Sequence, residues 1–146
     1  MCQSASMVVL RDAVLWSKTF DSHDDILNEH ERAMEGGLRI VGVPVEIVPP
    51  DNNYALPLEE WEFKTDLSRD QWPDWFDAAD AKRRCREVLQ QWADAHIIRD
   101  QEVDLEITRE SRVLINVTGR ITVSGGEVRT CGNSSPTITV LGGWVK

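Results

Sequence analysis

The sequence predicts an α+β fold: a mixed or antiparallel sheet packed on two helices, followed by a short Gly-punctuated β-repeat, either a β-roll or a meander. Three observations predict it. Residues 78–98 repeat apolar side chains at helical spacing, through Ala81, Cys85, Val88, Leu89, Trp92 and Ala95. The segments before them are short β-branched runs broken by turn residues. Near the C-terminal end, Ile121-Thr-Val-Ser-Gly-Gly-Glu-Val128 matches Ile138-Thr-Val-Leu-Gly-Gly-Trp-Val145 at six of eight positions, seventeen residues apart. With 146 residues, 41% of them hydrophobic, the chain has enough apolar material to bury a core.

Met7 to Leu10 and Ala13 to Trp16, on either side of Arg11-Asp12, predict one broken strand or a tight strand pair. Ser22-His23-Asp24-Asp25 opens a helix: a Ser with an acid three residues on is a capping pattern, and Asp24 and Asp25 suit the positive end of the helix dipole. That helix should run to about Met34 and stop at Gly36-Gly37. Leu38 to Val48 is the next expected strand, closed by Pro49-Pro50-Asp51-Asn52-Asn53. From Leu58 to Asp66 the pattern alternates, placing Trp61 and Phe63 on a buried face.

In Trp72-Pro73-Asp74-Trp75-Phe76 three aromatics precede the main helix, with Asp77 as its N-cap and Asp80 at N3. After a turn at Asp100 to Glu102, Val103, Leu105 and Ile107 alternate with acids as a further strand. The repeat then follows, with Ile115-Asn-Val-Thr-Gly119 read as a partial third copy. A strand too short to bury its own face needs a stacked neighbour, so two or three rungs are expected. The division is an acidic head over 1–110 and a β-repeat over 111–146, packed as one compact unit. Left uncovered, the last rung is a docking surface, which nominates Ile138, Val140 and Trp144 for self-association and a homo-oligomer as the consequence.

The segments LRDAVLWSKTFDSHDDIL, PLEEWEF, PDWFD and CREVLQQWA, spread over roughly residues 8–95, resemble uncharacterised bacterial and phage proteins that join such a head to a variable tail of Gly/Ser/Val β-repeats. The resemblance implies a folded head carrying β-repeats, here only two or three units, and implies no activity.

Charge is uneven. Residues 1–110 hold 24 acids and 12 bases, a balance of −12, whereas 111–146 hold one acid and four bases, +3. Such a field repels nucleic acid and anionic lipid and attracts basic partners, so direct nucleic-acid and membrane binding are not expected. No apolar run reaches the ~20 residues of a membrane span, and the N-terminus lacks a secretory pattern, giving a cytoplasmic expectation. Cys2, Cys85 and Cys131 are odd in number and far apart, and suggest neither a disulfide framework nor a zinc site.

Chemistry is weakly indicated. His23 and His30 lie seven apart, not the three or four that bring two rings to one ion, and read as a solvated helix face, so no metal is expected. Glu60-Trp61-Glu62 has the Glu-x-Glu spacing of ADP-ribosyltransferases, with Arg11 and Ser17 as conceivable partners, but alternating strands place such carboxylates on their polar face anyway. No phosphate-cradling or nucleophile motif is present, no cofactor is expected and no catalytic residue is nominated. Favoured instead is a small acidic, non-enzymatic protein that binds a basic protein surface. It would act as an inhibitor occupying a nucleic-acid-binding site, as a phage protein does against host defence. Asp70, Trp72, Asp74, Trp75 and Asp77 are the expected anchor. A structural protein oligomerising through the β-repeat and an ADP-ribosyltransferase-like enzyme are the alternatives.

Overall fold

The computed structural model describes residues 4–33 and 42–146. Among these are two helices, α1 (His23–Ala33) and α2 (Ala78–His96), and eleven strands in three sheets, a mixed α+β content. The described residues divide into two units: 4–17, 21–33, 42–52 and 57–92 form the first, and 18–20, 53–56 and 93–146 the second.

In the first unit, β1 (Ser6–Val9), β2 (Val14–Leu15), β3 (Val43–Val48) and β4 (Glu62–Thr65) make an antiparallel sheet in the order β2-β1-β3-β4. The first two strands are a tight pair, not one broken strand, because the Leu10 N–H donates to the Ala13 carbonyl across Arg11-Asp12 at 2.7 Å. Helix α1 starts where the capping pattern puts it: the Asp25 N–H donates to Ser22 Oγ at 3.2 Å while Ser22 Oγ donates to the Asp25 carboxylate at 2.7 Å. Its Ile26 and Leu27 are buried against Val8 and Leu15. The expected stop at Met34 to Gly37 and the start of the expected 38–48 strand lie outside the described residues.

Two expectations shift here. Leu58–Glu60 forms a 3-10 turn behind Pro57, with the Trp61 N–H on the Leu58 carbonyl, so the strand begins only at Glu62. The alternation survives in its shorter span, Glu62 and Lys64 exposed against Phe63 and Thr65, with Trp61 buried just ahead of it and Phe63 only half-buried. Helix α2 is capped by Asp77, whose carboxylate accepts the Asp80 N–H at 3.0 Å. It buries Ala81, Cys85, Leu89 and Trp92, and ends at His96, not at 98. Ile97 and Ile98 leave it because they pair in parallel with Val113 and Leu114, a ladder that suits β-branched side chains better than a fraying last turn.

The second unit holds a parallel β-solenoid-like region. One sheet, in the order β11-β9-β7-β5, contains β5 (Ile97–Arg99), β7 (Ser111–Ile115), β9 (Glu127–Cys131) and β11 (Trp144–Val145). The other, β10-β8-β6, contains β6 (Glu102–Ile107), β8 (Thr118–Val123) and β10 (Thr137–Val140). The two matching segments of the sequence lie on each other in register, Ile121 on Ile138, Val123 on Val140 and Val128 on Val145. Their predecessor is not Ile115 to Gly119. It is Leu105 to Arg112, which contributes Leu105 beneath Ile121 and Ile107 beneath Val123. That rung contains no glycine and sits sixteen residues back, so it shares neither the Gly-Gly pair nor the seventeen-residue spacing of the other two. The parallel strands accordingly begin at Ile97, ahead of position 111, where the sequence pattern places the start of the repeat.

Ile115 to Gly119 instead forms a corner. Asp100, Asn116 and Gly132 occupy one corner of successive rungs and all adopt left-handed backbone, with φ of 52°, 54° and 63°, a conformation open to Gly, Asn and Asp. Asn116 Nδ2 donates to the Asp100 carboxylate at 3.0 Å, and the Asn133 N–H donates to Asn116 Oδ1 at 2.9 Å. Between the sheets, Ile107, Leu114, Val117, Ile121, Val123 and Val128 form the core.

Candidate functional site

Three places in the fold could carry function. The first is the aromatic and acidic segment before α2. Phe76 is buried, and Trp72 and Trp75 lean on it edge-to-face with centroids 4.9 and 6.0 Å away. Trp72 Nε1 donates to the Leu67 carbonyl at 3.2 Å, which fixes its ring on the 3-10 turn Arg69–Gln71. Both tryptophans are half-buried and each borders a hollow. Trp72 faces one of about 510 Å³ lined also by Arg69, Pro73, Asp74, Phe76 and Asp77, and Trp75 faces one of about 370 Å³ bounded by Leu10 to Ala13. Asp70, Asp74 and Asp77 are exposed around them. The five residues nominated from sequence thus share one surface segment, and Asp77 has a second task as the cap of α2.

The second place is the last rung. Among the described residues the exposed large hydrophobic side chains are Val140, Leu141, Trp144 and Val145, at 54%, 73%, 72% and 38%, and these four belong to one rung. Val140 heads the inward column Ile107–Val123–Val140, and is open because β10 and β11 are edge strands among the described residues. Of the three nominated positions, Val140 and Trp144 are exposed, while Ile138 is half-buried against the core. Leu141 and Val145 were missed: Leu141 replaces Ser124 of the rung beneath, a difference visible in the repeat itself.

The third place was not anticipated. Asp21 accepts the Ser6 N–H at 2.7 Å and the Trp92 Nε1–H at 3.1 Å on the same carboxylate oxygen, which anchors the chain just before the Ser22 cap. His23 therefore enters the sheet side of α1 and is buried, not solvated as its helical position suggested. Its Nε2 lies 2.8 Å from the Val45 carbonyl. A carbonyl only accepts, so Nε2 carries a proton and Nδ1 faces the other way, 3.3 Å from the Asp66 carboxylate. Asp66 is set there by its own N–H, which donates to the Pro44 carbonyl at 3.1 Å beside β3. Glu46, next to Val45 on β3, is also buried, and one donor atom from each of His23, Glu46 and Asp66 lies within 4.8 Å of the others.

No family model, curated protein or solved structure matches the chain.

The alternatives for chemistry find less support. His30 is tied separately, with Nε2 3.2 Å from the Trp16 carbonyl. Glu60 sits in the 3-10 turn and Glu62 on β4, both exposed, so they do not share a strand face, while Arg11 is exposed on the β1–β2 turn and Ser17 is buried. The basic run of α2 is largely engaged. Arg83 bonds Asp80 and Glu87 at 2.8 and 2.7 Å, Arg84 donates to the Leu10 carbonyl, and Arg86 donates to those of Leu58 and Trp61. No helix among the described residues is long and apolar enough to cross a membrane. The His23 cluster was hidden because its carboxylates stand 23 and 43 positions from the histidine, and only the strand register joins them.

Proposed function

We propose that this protein acts by contact with another protein, through the segment Asp70 to Asp77. The observation that carries the reading is the pairing of two half-buried tryptophans, each beside a hollow, with three exposed aspartates around them. Interfaces concentrate their energy in such aromatic anchors ringed by polar groups. The rest of the head adds exposed acids at Glu59, Glu60 and Glu62. A partner of matching chemistry is basic, such as a surface that normally holds phosphate; occupying it would make the protein an inhibitor of nucleic-acid binding, the role an anti-defence protein fills.

The test is capture from host lysate at low and high salt, followed by titration of the captured partner. Binding should weaken steeply with salt and fall roughly tenfold for Asp74→Lys, with Trp75→Ala costing more. At the cap, Asp77→Asn is the informative change, because it removes the charge while keeping an acceptor for the Asp80 N–H. Binding that ignores both salt and Asp74→Lys sinks the proposal.

A second reading is favoured by the last rung alone. Its apolar columns and unpaired strand edges suit a second copy of the same rung, giving a two-fold dimer that covers Val140, Leu141, Trp144 and Val145 on both sides.

A further inference from the structure

We infer that His23, Glu46 and Asp66 form a binding site for a divalent transition-metal ion of the zinc class. It is independent of the contact surface proposed above. Three features carry it. First, the donors converge from separate elements, the first residue of α1, the middle of β3 and the residue after β4, and their atoms lie within 4.8 Å of one another. Second, the hydrogen bond from His23 Nε2 to the Val45 carbonyl is the outer-shell arrangement that metal-bound histidines use, since it fixes the tautomer and turns the Nδ1 lone pair toward the ion.

Third, the 3.3 Å spacing between Nδ1 and the Asp66 carboxylate suits two ligands of one ion and is longer than a tight ion pair. A charge-assisted N–H to carboxylate bond closes to about 2.7–2.9 Å. Zinc ligands about 2.0–2.2 Å from the ion at tetrahedral angles stand roughly 3.3–3.5 Å apart, and the separation here is 3.3 Å. One imidazole nitrogen with two carboxylate oxygens selects zinc-class ions over magnesium and calcium, which take oxygen ligands alone. Glu46 and the His23 ring are buried, whereas the Asp66 side chain is 43% exposed. The site therefore opens to solvent on the Asp66 side, where water completes the coordination, and the ion would pin the start of α1 to β3 and the end of β4.

The experiment uses the full chain after treatment with a chelator. Calorimetric titration with Zn²⁺ should show one ion per chain, with Mg²⁺ and Ca²⁺ failing to compete, and Zn²⁺ should raise the unfolding temperature. Asp66→Asn should weaken binding by roughly tenfold to a hundredfold and Glu46→Gln likewise. Because Asp66 is exposed, its variant remains folded if the buried ones do not, and it alone decides the matter. Co²⁺ in place of Zn²⁺ should give the visible absorption of a tetrahedral nitrogen and oxygen site. Absence of binding, unchanged affinity in Asp66→Asn, or a thiolate-to-cobalt charge-transfer band placing the ion on a cysteine would each overturn the assignment.

Discussion

At the scale of single residues, Cys85 shows most directly how position sets chemistry. Burial on the inner face of α2 pushes its thiol up to about 12 from an ordinary value of 9.0, with Arg84 pulling weakly the other way. The thiol is therefore a packing group and a poor nucleophile. A pKa raised on folding stabilises the protein fully below the unfolded value, and that contribution is lost as pH rises toward 12, because the unfolded chain releases the proton first. Urea unfolding of the wild type should lose stability between pH 9 and pH 10.5 at about 1 kcal/mol per pH unit more than Cys85→Ala. Equal slopes in the two proteins would show that Cys85 is not the group responsible. Glu110 behaves in the opposite sense. Its burial alone would push the carboxyl up, but hydrogen bonds from its own N–H and those of Thr108 and Arg109, with Arg112 nearby, hold it below the usual range.

At the scale of elements, rung stacking depends on how closely one strand can lie on the next. Gly119 adopts φ of 108° directly over Val103, and a Cβ there would overlap the Val103 carbonyl oxygen. Gly119→Ala should therefore cost roughly 1–3 kcal/mol from the backbone conformation alone, and more if β8 must lift from β6, read as a shift in the urea midpoint. An unchanged midpoint would mean that β8 and β6 are not tightly apposed at Gly119. The same strands show how polar and apolar faces are shared. Glu102, Asp104 and Glu106 are exposed on the outer face of β6, while Val103, Leu105 and Ile107 alternate inward. An acidic edge of this kind discourages stray strand addition, and the last rung at the other edge has no such charge on β10.

At the scale of the whole molecule, the two proposed contact surfaces predict different behaviour in solution. Contact through Asp70 to Asp77 is driven by charge and needs a partner of opposite sign, so it responds to salt. Pairing through the last rung is driven by apolar burial, so it strengthens or holds as salt is raised. If the second reading applies, wild-type protein elutes as a dimer at micromolar concentration, whereas Leu141→Lys combined with Trp144→Lys elutes as a monomer with unchanged circular dichroism. A size that is the same for both proteins would dismiss the rung as a self-association surface, and would leave the aromatic and acidic segment as the remaining candidate.

Much of this was written in local patterns. The capping of both helices and the buried stripe Ala81, Cys85, Leu89 and Trp92 follow from short-range preferences that neighbouring residues settle among themselves, and the copies ending at Val128 and Val145 were legible because their seventeen-residue repeat is itself the stacking register. The extent of the solenoid did not, because its first rung has the inward apolar positions of the others without their glycines. A sixteen-residue recurrence of Asp100, Asn116 and Gly132 was the signal available for it. Tertiary structure alone decided the His23 cluster. A helix start, a strand centre and a strand end far apart in the chain meet there only through hydrogen-bonded register, which depends on long-range packing and leaves no fixed spacing for a sequence to show.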